Sequence, residues 1–133
     1  MIRTMKEILD LIENDDPQQQ KQIASVVASE SVWFAFIEAR PELRRAVTLN
    51  KHLPDSVLRK LARDDDRLIR FDVAMKRRLP MELFALLASD TDEGVRHRIA
   101  FNAKTPREII QRLAEDPSPL VSAEARRRLA QKG

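Results

Sequence analysis

The chain has 133 residues, of which 43% are hydrophobic and 34% are charged, a balance typical of a folded protein rather than a disordered one. It contains no cysteine, which excludes disulfides, thiolate metal sites and a cysteine nucleophile. No apolar run approaches the roughly 20 residues of a membrane span, and the acidic N-terminal stretch lacks the apolar centre of an export signal. We therefore expect one continuous domain in the cytoplasm, without membrane contact.

The net charge of +3 is unevenly distributed along the chain. Residues 1–43 carry 4 Lys and Arg against 8 Asp and Glu, whereas residues 44–133 carry 20 against 13. A basic region of this kind favours an anionic partner, either an acidic protein or a nucleic acid. The simpler interpretation is that these Lys and Arg side chains only solvate the surface.

Residues 1–43 are predicted to form an N-terminal helical cap that includes a diverged repeat. The predicted helices cover 4–13, 18–29 and 31–39. Apolar residues at helical spacing support the first two, and the third is the most apolar part of the chain. It contains Trp33, Phe34 and Phe36, which we expect in the core of the cap. The alternative is an exposed aromatic patch used for self-association.

The same residue types recur every 26 residues over 44–133. The columns include Pro54, Pro80 and Pro106; Asp64, Asp90 and Asp116; and Arg44, Arg70 and Arg96. The predicted helices cover 42–50 and 54–63, 66–77 and 80–89, 92–102 and 106–115, and finally 119–131. Each helix pair is too small to bury its own apolar face, so successive pairs are expected to stack. The predicted fold class is all-α, a short α-solenoid of helix-pair repeats.

Helix starts are predicted from proline and from capping residues. Pro106 is expected at the first position of its helix, with Thr105 and Glu108 as a capping box. Asp90 and Glu93 have the same spacing and predict a second capping box. These signals place each helix start just after a short polar loop.

An aspartate precedes an arginine by six residues in two successive repeats, as Asp64 precedes Arg70 and Asp90 precedes Arg96. In a stacked array, the acid of one turn can meet the arginine of its neighbour in a charge-assisted hydrogen bond. We interpret these four residues as a structural ladder that fixes the register of the repeats. The alternative is a column of carboxylates and arginines with a catalytic or binding role.

Basic and aromatic side chains recur at positions seven apart, which share one face of a helix. The candidate binding residues are Arg45, Lys51, His52, Phe71, Arg77, Arg78, His97, Lys104, Arg126, Arg127 and Arg128. Stacked repeats would align them as a basic stripe suited to acidic side chains or to phosphates. The helix dipole also favours Lys and Arg near helix C-termini, so a solvated face is the simpler interpretation.

Residues for catalysis or metal binding form no recognisable pattern in the sequence. His52 and His97 belong to no spaced metal motif, and no nucleophile with a base and an orienting acid can be assembled. With two glycines, the chain has no Gly-rich phosphate loop. The acidic turn at 64–66 offers fewer oxygen ligands than calcium requires, so we interpret it as a helix-capping loop. We expect no enzyme activity, no metal and no cofactor.

The segment VRHRIAFNAKTPREIIQRLAEDP resembles the leucine-rich repeat variant, and the Asp-x5-Arg spacing is similar to HEAT-like repeats. Both belong to the armadillo-like superfamily of α-solenoids, and the resemblance covers about residues 41–130. It implies a right-handed superhelix of short helices, some of them 3₁₀, and mostly scaffold functions, although a few HEAT-like proteins bind DNA or repair bases. The iron–sulfur cluster of one variant-repeat protein does not carry over, because this chain has no cysteine.

Two functions are therefore expected from the basic stripe. The first is a non-enzymatic scaffold that binds a protein segment, acidic in character, through contacts that include Arg45, Arg78 and Lys104. The alternative is a nucleic-acid-binding protein that uses the same stripe and the arginines at 126–128 on phosphates. Salt separates the two, because phosphate binding weakens steeply with salt and a largely apolar protein interface does not.

Overall fold

The computed structural model describes residues 2–11 and 22–131. Within these ranges the chain forms nine α-helices and two 3₁₀ helices, and no strand beyond a single bridge between Ile2 and Ala28. The all-α class predicted from the sequence is confirmed. None of the described helices is long and apolar enough to cross a membrane. The protein packs as two compact units, residues 1–61 and 62–133.

The first unit contains four α-helices in its described part. These are α1 (Met5–Leu11), α2 (Glu30–Ala39), α3 (Arg44–Thr48) and α4 (Asp55–Leu61), with 3₁₀ helices at Ile23–Ser25 and Pro41–Leu43. Its core is built on Trp33 and Phe36, which are fully buried and meet edge to face at 6.3 Å between ring centroids. The predicted core position is confirmed for both rings, while Phe34 is half-buried.

The predicted helix over 18–29 is wrong in its second half. The 3₁₀ helix ends at Ser25, and Val26 adopts extended backbone angles (φ −64°, ψ 134°). The carbonyl oxygens of Ile23 and Val26 accept hydrogen bonds from the side chain of Asn50, which replace helical bonds in this segment. Residues 12–13 and 18–21 of the predicted helices lie outside the described residues.

The proposed division at residues 43 and 44 falls inside the first unit. The 3₁₀ helix at Pro41–Leu43 continues directly into α3, which begins at Arg44. No loop separates the predicted cap from the first predicted helix pair.

The described residues of the second unit, 62–131, form five α-helices. These are α5 (Arg67–Ala74), α6 (Met81–Ala88), α7 (Glu93–Phe101), α8 (Arg107–Leu113) and α9 (Pro119–Ala130). Apolar residues 26 positions apart lie in its core, including Ile69, Val95 and Val121, and Leu87 and Leu113. Burial of each such side chain contributes about 1.5–3 kcal/mol. The last helix packs against α7 and α8.

The predicted capping boxes of α7 and α8 are wrong. The N-cap of α7 is Asp92, whose side chain accepts a hydrogen bond from the Val95 backbone N–H at 3.0 Å. The hydroxyl of Thr105 instead donates to the carbonyl oxygen of Ile99 at 2.6 Å, and α8 begins after Pro106 without a side-chain cap. The Asp90 carboxylate instead accepts hydrogen bonds from Arg70. Side chains expected at helix starts are therefore used to hold neighbouring helices together.

Candidate functional site

Arg70 and Asp90 form a two-point ion pair in the second unit. Nε of Arg70 donates to Oδ2 of Asp90 at 2.8 Å, and Nη2 donates to Oδ1 at 3.2 Å. The remaining nitrogen, Nη1, donates to the carbonyl oxygens of Asp64 and Asp65. Both side chains are largely buried, and the hydrogen bond with Asp90 raises the pKa of Arg70 further above its ordinary value. This charge-assisted pair joins α5 to the loop after α6.

The same arrangement recurs one repeat later. Arg96 donates to the carboxylate of Asp116 at 2.9 and 3.3 Å, and to the carbonyl oxygens of Asp90 and Thr91. The carboxylates of Asp64, Asp90 and Asp116 each accept a backbone N–H two residues further on, at 2.9 Å. These acids and arginines are engaged with one another and with the backbone, so they hold loops and helices in register.

A second set of repeated hydrogen bonds was missed in the sequence. Asn102 is buried, and its Nδ2 donates to the carbonyl oxygens of Ala74 and Lys76 at 2.9 and 2.7 Å. Its Oδ1 accepts the backbone N–H of Lys104 at 2.9 Å. In the first unit, Asn50 donates to two carbonyl oxygens and accepts a backbone N–H in the same way. The feature of the sequence that could have indicated these bonds is the spacing of the two asparagines, which is twice the 26-residue period.

Positions 50, 76, 102 and 128 form one column at a spacing of 26 residues, which we call the Asn102 column. Lys76 and Arg128 occupy its other two positions. Nη1 of Arg128 donates to the carbonyl oxygens of Ala100 and Asn102 at 2.8 and 2.9 Å. Burial lowers the pKa of Lys76, and the nearby carboxylate of Asp72 partly opposes this. Arg128 is thus bound to the end of α7, although its sequence position suggested a ligand contact.

The predicted basic stripe divides between the two units. Arg45, Lys51 and His52 belong to the first unit and are exposed. In the second unit, Arg77, Arg78 and Lys104 are exposed, while Phe71 and His97 are half-buried.

The arginines near the C-terminus contact the protein itself. Arg126 donates to the Ala114 carbonyl oxygen at 3.0 Å, and Arg127 pairs with Glu124. Oε1 of the same Glu124 lies 4.0 Å from Nε2 of His97. A carboxylate therefore stands beside this part of the stripe.

Two exposed apolar side chains lie at the ends of neighbouring helices. Met75 follows the last residue of α5, and Phe101 is the last residue of α7; they are 42% and 46% exposed. The guanidinium carbon of Arg98 lies 4.8 Å from the centre of the Phe101 ring, a cation–π contact. Nε of Arg98 is buried and lacks a hydrogen-bond partner in the part of the chain described. The 26-residue spacing of Met75 and Phe101 was the missed signal.

These side chains define what we call the 75/101 surface. Its members are Phe71, Met75, Arg78, Arg98, Phe101 and Lys104. Since α5 and α7 pack together, equivalent positions on them lie about 8–10 Å apart. These residues combine apolar and cationic side chains, a composition common at protein interfaces.

In the described ranges, no group of three or more His, Asp or Glu residues could hold a metal ion.

No family model, curated protein or solved structure was found to match the chain. The resemblance to HEAT-like and variant repeats, and the functions that it implies, therefore stay proposals.

Proposed function

We propose that the chain is a non-enzymatic protein-interaction module built as a short α-solenoid of 26-residue helix pairs. The repeated hydrogen bonds support this architecture, because the Arg70 and Arg96 pairs and the Asn102 and Arg128 contacts recur at that period. Bonds of this kind hold neighbouring helices in one register and so present a rigid surface to a partner.

The 75/101 surface is the observation that carries the proposal. Exposed Met75 and Phe101 offer apolar contact at adjacent positions, and the Arg98 guanidinium stacks on the Phe101 ring. Met is an adaptable contact residue, and aromatic and Arg side chains are enriched at binding hot spots. Exposed Arg78 and Lys104 add positive charge. The partner that fits is a polypeptide segment with apolar side chains flanked by acids.

Nucleic acid is the weaker candidate on the same surface. Arg126 and Arg128 donate to backbone carbonyl oxygens, and Arg127 pairs with Glu124, so these arginines already have partners in the protein. Glu124 also lies near His97, where it would repel a phosphate. The exposed cations at 77, 78 and 104 keep this alternative testable.

Fluorescence anisotropy tests the two candidates side by side. The probes are labelled peptides that carry two apolar residues between acidic residues, and labelled single- and double-stranded oligonucleotides, each across a salt series. We expect micromolar peptide binding that depends on salt much less steeply than phosphate binding does and that falls at least tenfold with Phe101→Ser. Arg63→Glu, a charge reversal at an exposed site off this surface, serves as the control.

Two results would contradict the proposal. If Arg78→Glu and Phe101→Ser both leave peptide binding intact, the 75/101 surface is not the site. If only oligonucleotides bind, with a steep salt slope that Arg78→Glu reduces, the nucleic-acid function replaces the protein-binding one.

A further inference from the structure

A second surface of the 62–133 unit has the opposite chemical character. A groove of about 410 Å³ lies between the N-terminal parts of α6 and α8. Its lining residues are Met81, Glu82, Ala85, Pro106, Glu108 and Ile109. Met81 is 65% exposed, the largest value among the exposed large apolar side chains of the described residues. None of these positions belongs to the 75/101 surface.

The groove is lined by apolar side chains and by two carboxylates. Met81, Ala85 and Ile109 supply the apolar contact, and the charged lining residues are Glu82 and Glu108. Both glutamates are exposed and lie in the first helical turn, where the helix dipole favours negative charge. Arg112, further along α8, donates to the Ala85 carbonyl oxygen and to the Ser89 hydroxyl, at the other end of α6.

The separation of the two glutamates follows from the repeat. Glu82 and Glu108 are 26 residues apart and hold the same position in two helices that pack together. Packed helices lie about 8–10 Å apart, so the backbone positions that carry the two glutamates are spaced by about that distance. In an α-helix, residues seven apart share one face and are separated by about 10.5 Å along the axis.

We infer that this groove binds an amphipathic helix of a partner polypeptide. Two cationic side chains seven residues apart meet Glu82 and Glu108, and apolar side chains at the third and fourth positions between them enter the groove. This is the helix-in-groove mode of recognition, in which anchors lie at i, i+3, i+4 and i+7. The flexible thioether of Met81 adapts to the inserted side chain. The partner is thus basic, in contrast to the acidic partner proposed for the 75/101 surface.

The test uses a labelled, end-capped peptide of about 16 residues, which folds on binding more readily than alone. It carries Lys at positions i and i+7 and Leu at i+3 and i+4. A second peptide of identical composition places the two Lys on opposite helix faces. We expect the first peptide to bind with a Kd of about 10–100 μM and the second at least tenfold more weakly. NMR shift changes should concentrate in α6 and α8.

Matched variants distinguish the groove from general charge. Glu108→Lys should weaken binding at least tenfold. Of two peptides in which a single Lys is replaced by Glu, the one whose Glu faces position 108 should then bind that variant. Met81→Asp should weaken binding through the apolar contact, and it provides a second test if Glu108→Lys does not fold. Glu115→Lys reverses an exposed acid outside the groove and should leave binding within about twofold, since surface charges act weakly at a distance.

Several outcomes would overturn the inference. They are no saturable binding at millimolar peptide, equal losses with Glu108→Lys and Glu115→Lys, equal binding of both peptides, or shift changes centred on Phe101. The proposed function is tested separately, because Phe101→Ser should weaken binding of acidic peptides at least tenfold and leave this basic peptide unaffected. Failure of either surface therefore does not imply failure of the other.

Discussion

Asn102 and Arg128 make the same pair of hydrogen bonds one repeat apart. Asn102 donates to the carbonyl oxygens of Ala74 and Lys76, and Arg128 donates to those of Ala100 and Asn102 itself. Asn102 therefore satisfies carbonyl groups at the C-terminal end of α5, and Arg128 does so at the C-terminal end of α7, where intrahelical partners are lacking. Two chemically different residues perform one structural task.

Loss of the Asn102 side chain should destabilise the protein strongly. Asn102→Leu keeps the volume but leaves two carbonyl oxygens and the Lys104 N–H without their partner, at a cost of about 2–4 kcal/mol. Urea unfolding followed by circular dichroism measures the difference. Gln111→Leu, at an exposed site, should stay within about 0.5 kcal/mol of the original protein. A similarly small effect of Asn102→Leu would show that these bonds do not support the fold.

Two substitutions of Asp90 distinguish the effect of its negative charge from that of its hydrogen bond to the backbone of the turn. Asp90→Asn retains an oxygen for the Asp92 N–H but removes the negative charge, and should cost about 1–2 kcal/mol. Asp90→Ala removes both contacts and leaves a largely buried guanidinium unpaired, and should cost about 2–4 kcal/mol. Thermal unfolding of both variants shows whether Asp90→Ala lowers the melting temperature more than Asp90→Asn does. Equal melting temperatures for the original protein and Asp90→Ala would refute a stabilising role for the pair.

The helices of the second unit were predictable because apolar columns and prolines repeat without a gap. All five lie within their predicted ranges, and each ends one to three residues before its predicted end. The predicted cap region was harder, because the stretch after Ser25 looks helical but its carbonyl oxygens bond to the distant Asn50. Local periodicity contains no information about a contact 24 to 27 residues away in sequence.

The candidate site was also predictable only in part. The acid and arginine columns were visible, but spacing alone does not reveal that Arg70 pairs with Asp90 and donates to the backbone oxygen of Asp64. Likewise, charge identified the arginines at 126–128, while their use on carbonyl oxygens and on Glu124 depends on packing. Phe71 was among the predicted binding residues, but Met75 and Phe101 were missed, because an exposed Met or Phe looks like a core residue in a sequence.

Lys76 should make stability depend on alkaline pH. Burial lowers its pKa in the folded protein below the ordinary 10.5. Between the lowered pKa and 10.5 the unfolded chain holds the proton more often than the folded chain, so the free energy of unfolding rises with pH in that window. Below the window both states are protonated, and the contribution is constant and unfavourable.

Lys76→Met should abolish this rise and raise stability at neutral pH relative to the original protein. Urea unfolding at several pH values from neutral to 10.5 measures it. Lys104→Met, which removes an exposed lysine, is the matched control. An unchanged pH slope in Lys76→Met would assign the rise to other groups.

The two neighbouring arginines of α9 should differ in their effect on stability. Arg128→Ala removes two charge-assisted bonds to carbonyl oxygens at the end of α7, and should cost about 1.5–3 kcal/mol. Arg127→Ala removes a pair with Glu124 three residues earlier on the same helix, in which the arginine is about half exposed, and should cost less than about 0.5 kcal/mol. Hydrogen exchange should locate the Arg128→Ala effect at the C-terminal turn of α7 and in α9. If both variants lower stability equally, Arg128 acts as an ordinary surface charge and the last position of the Asn102 column has no structural role.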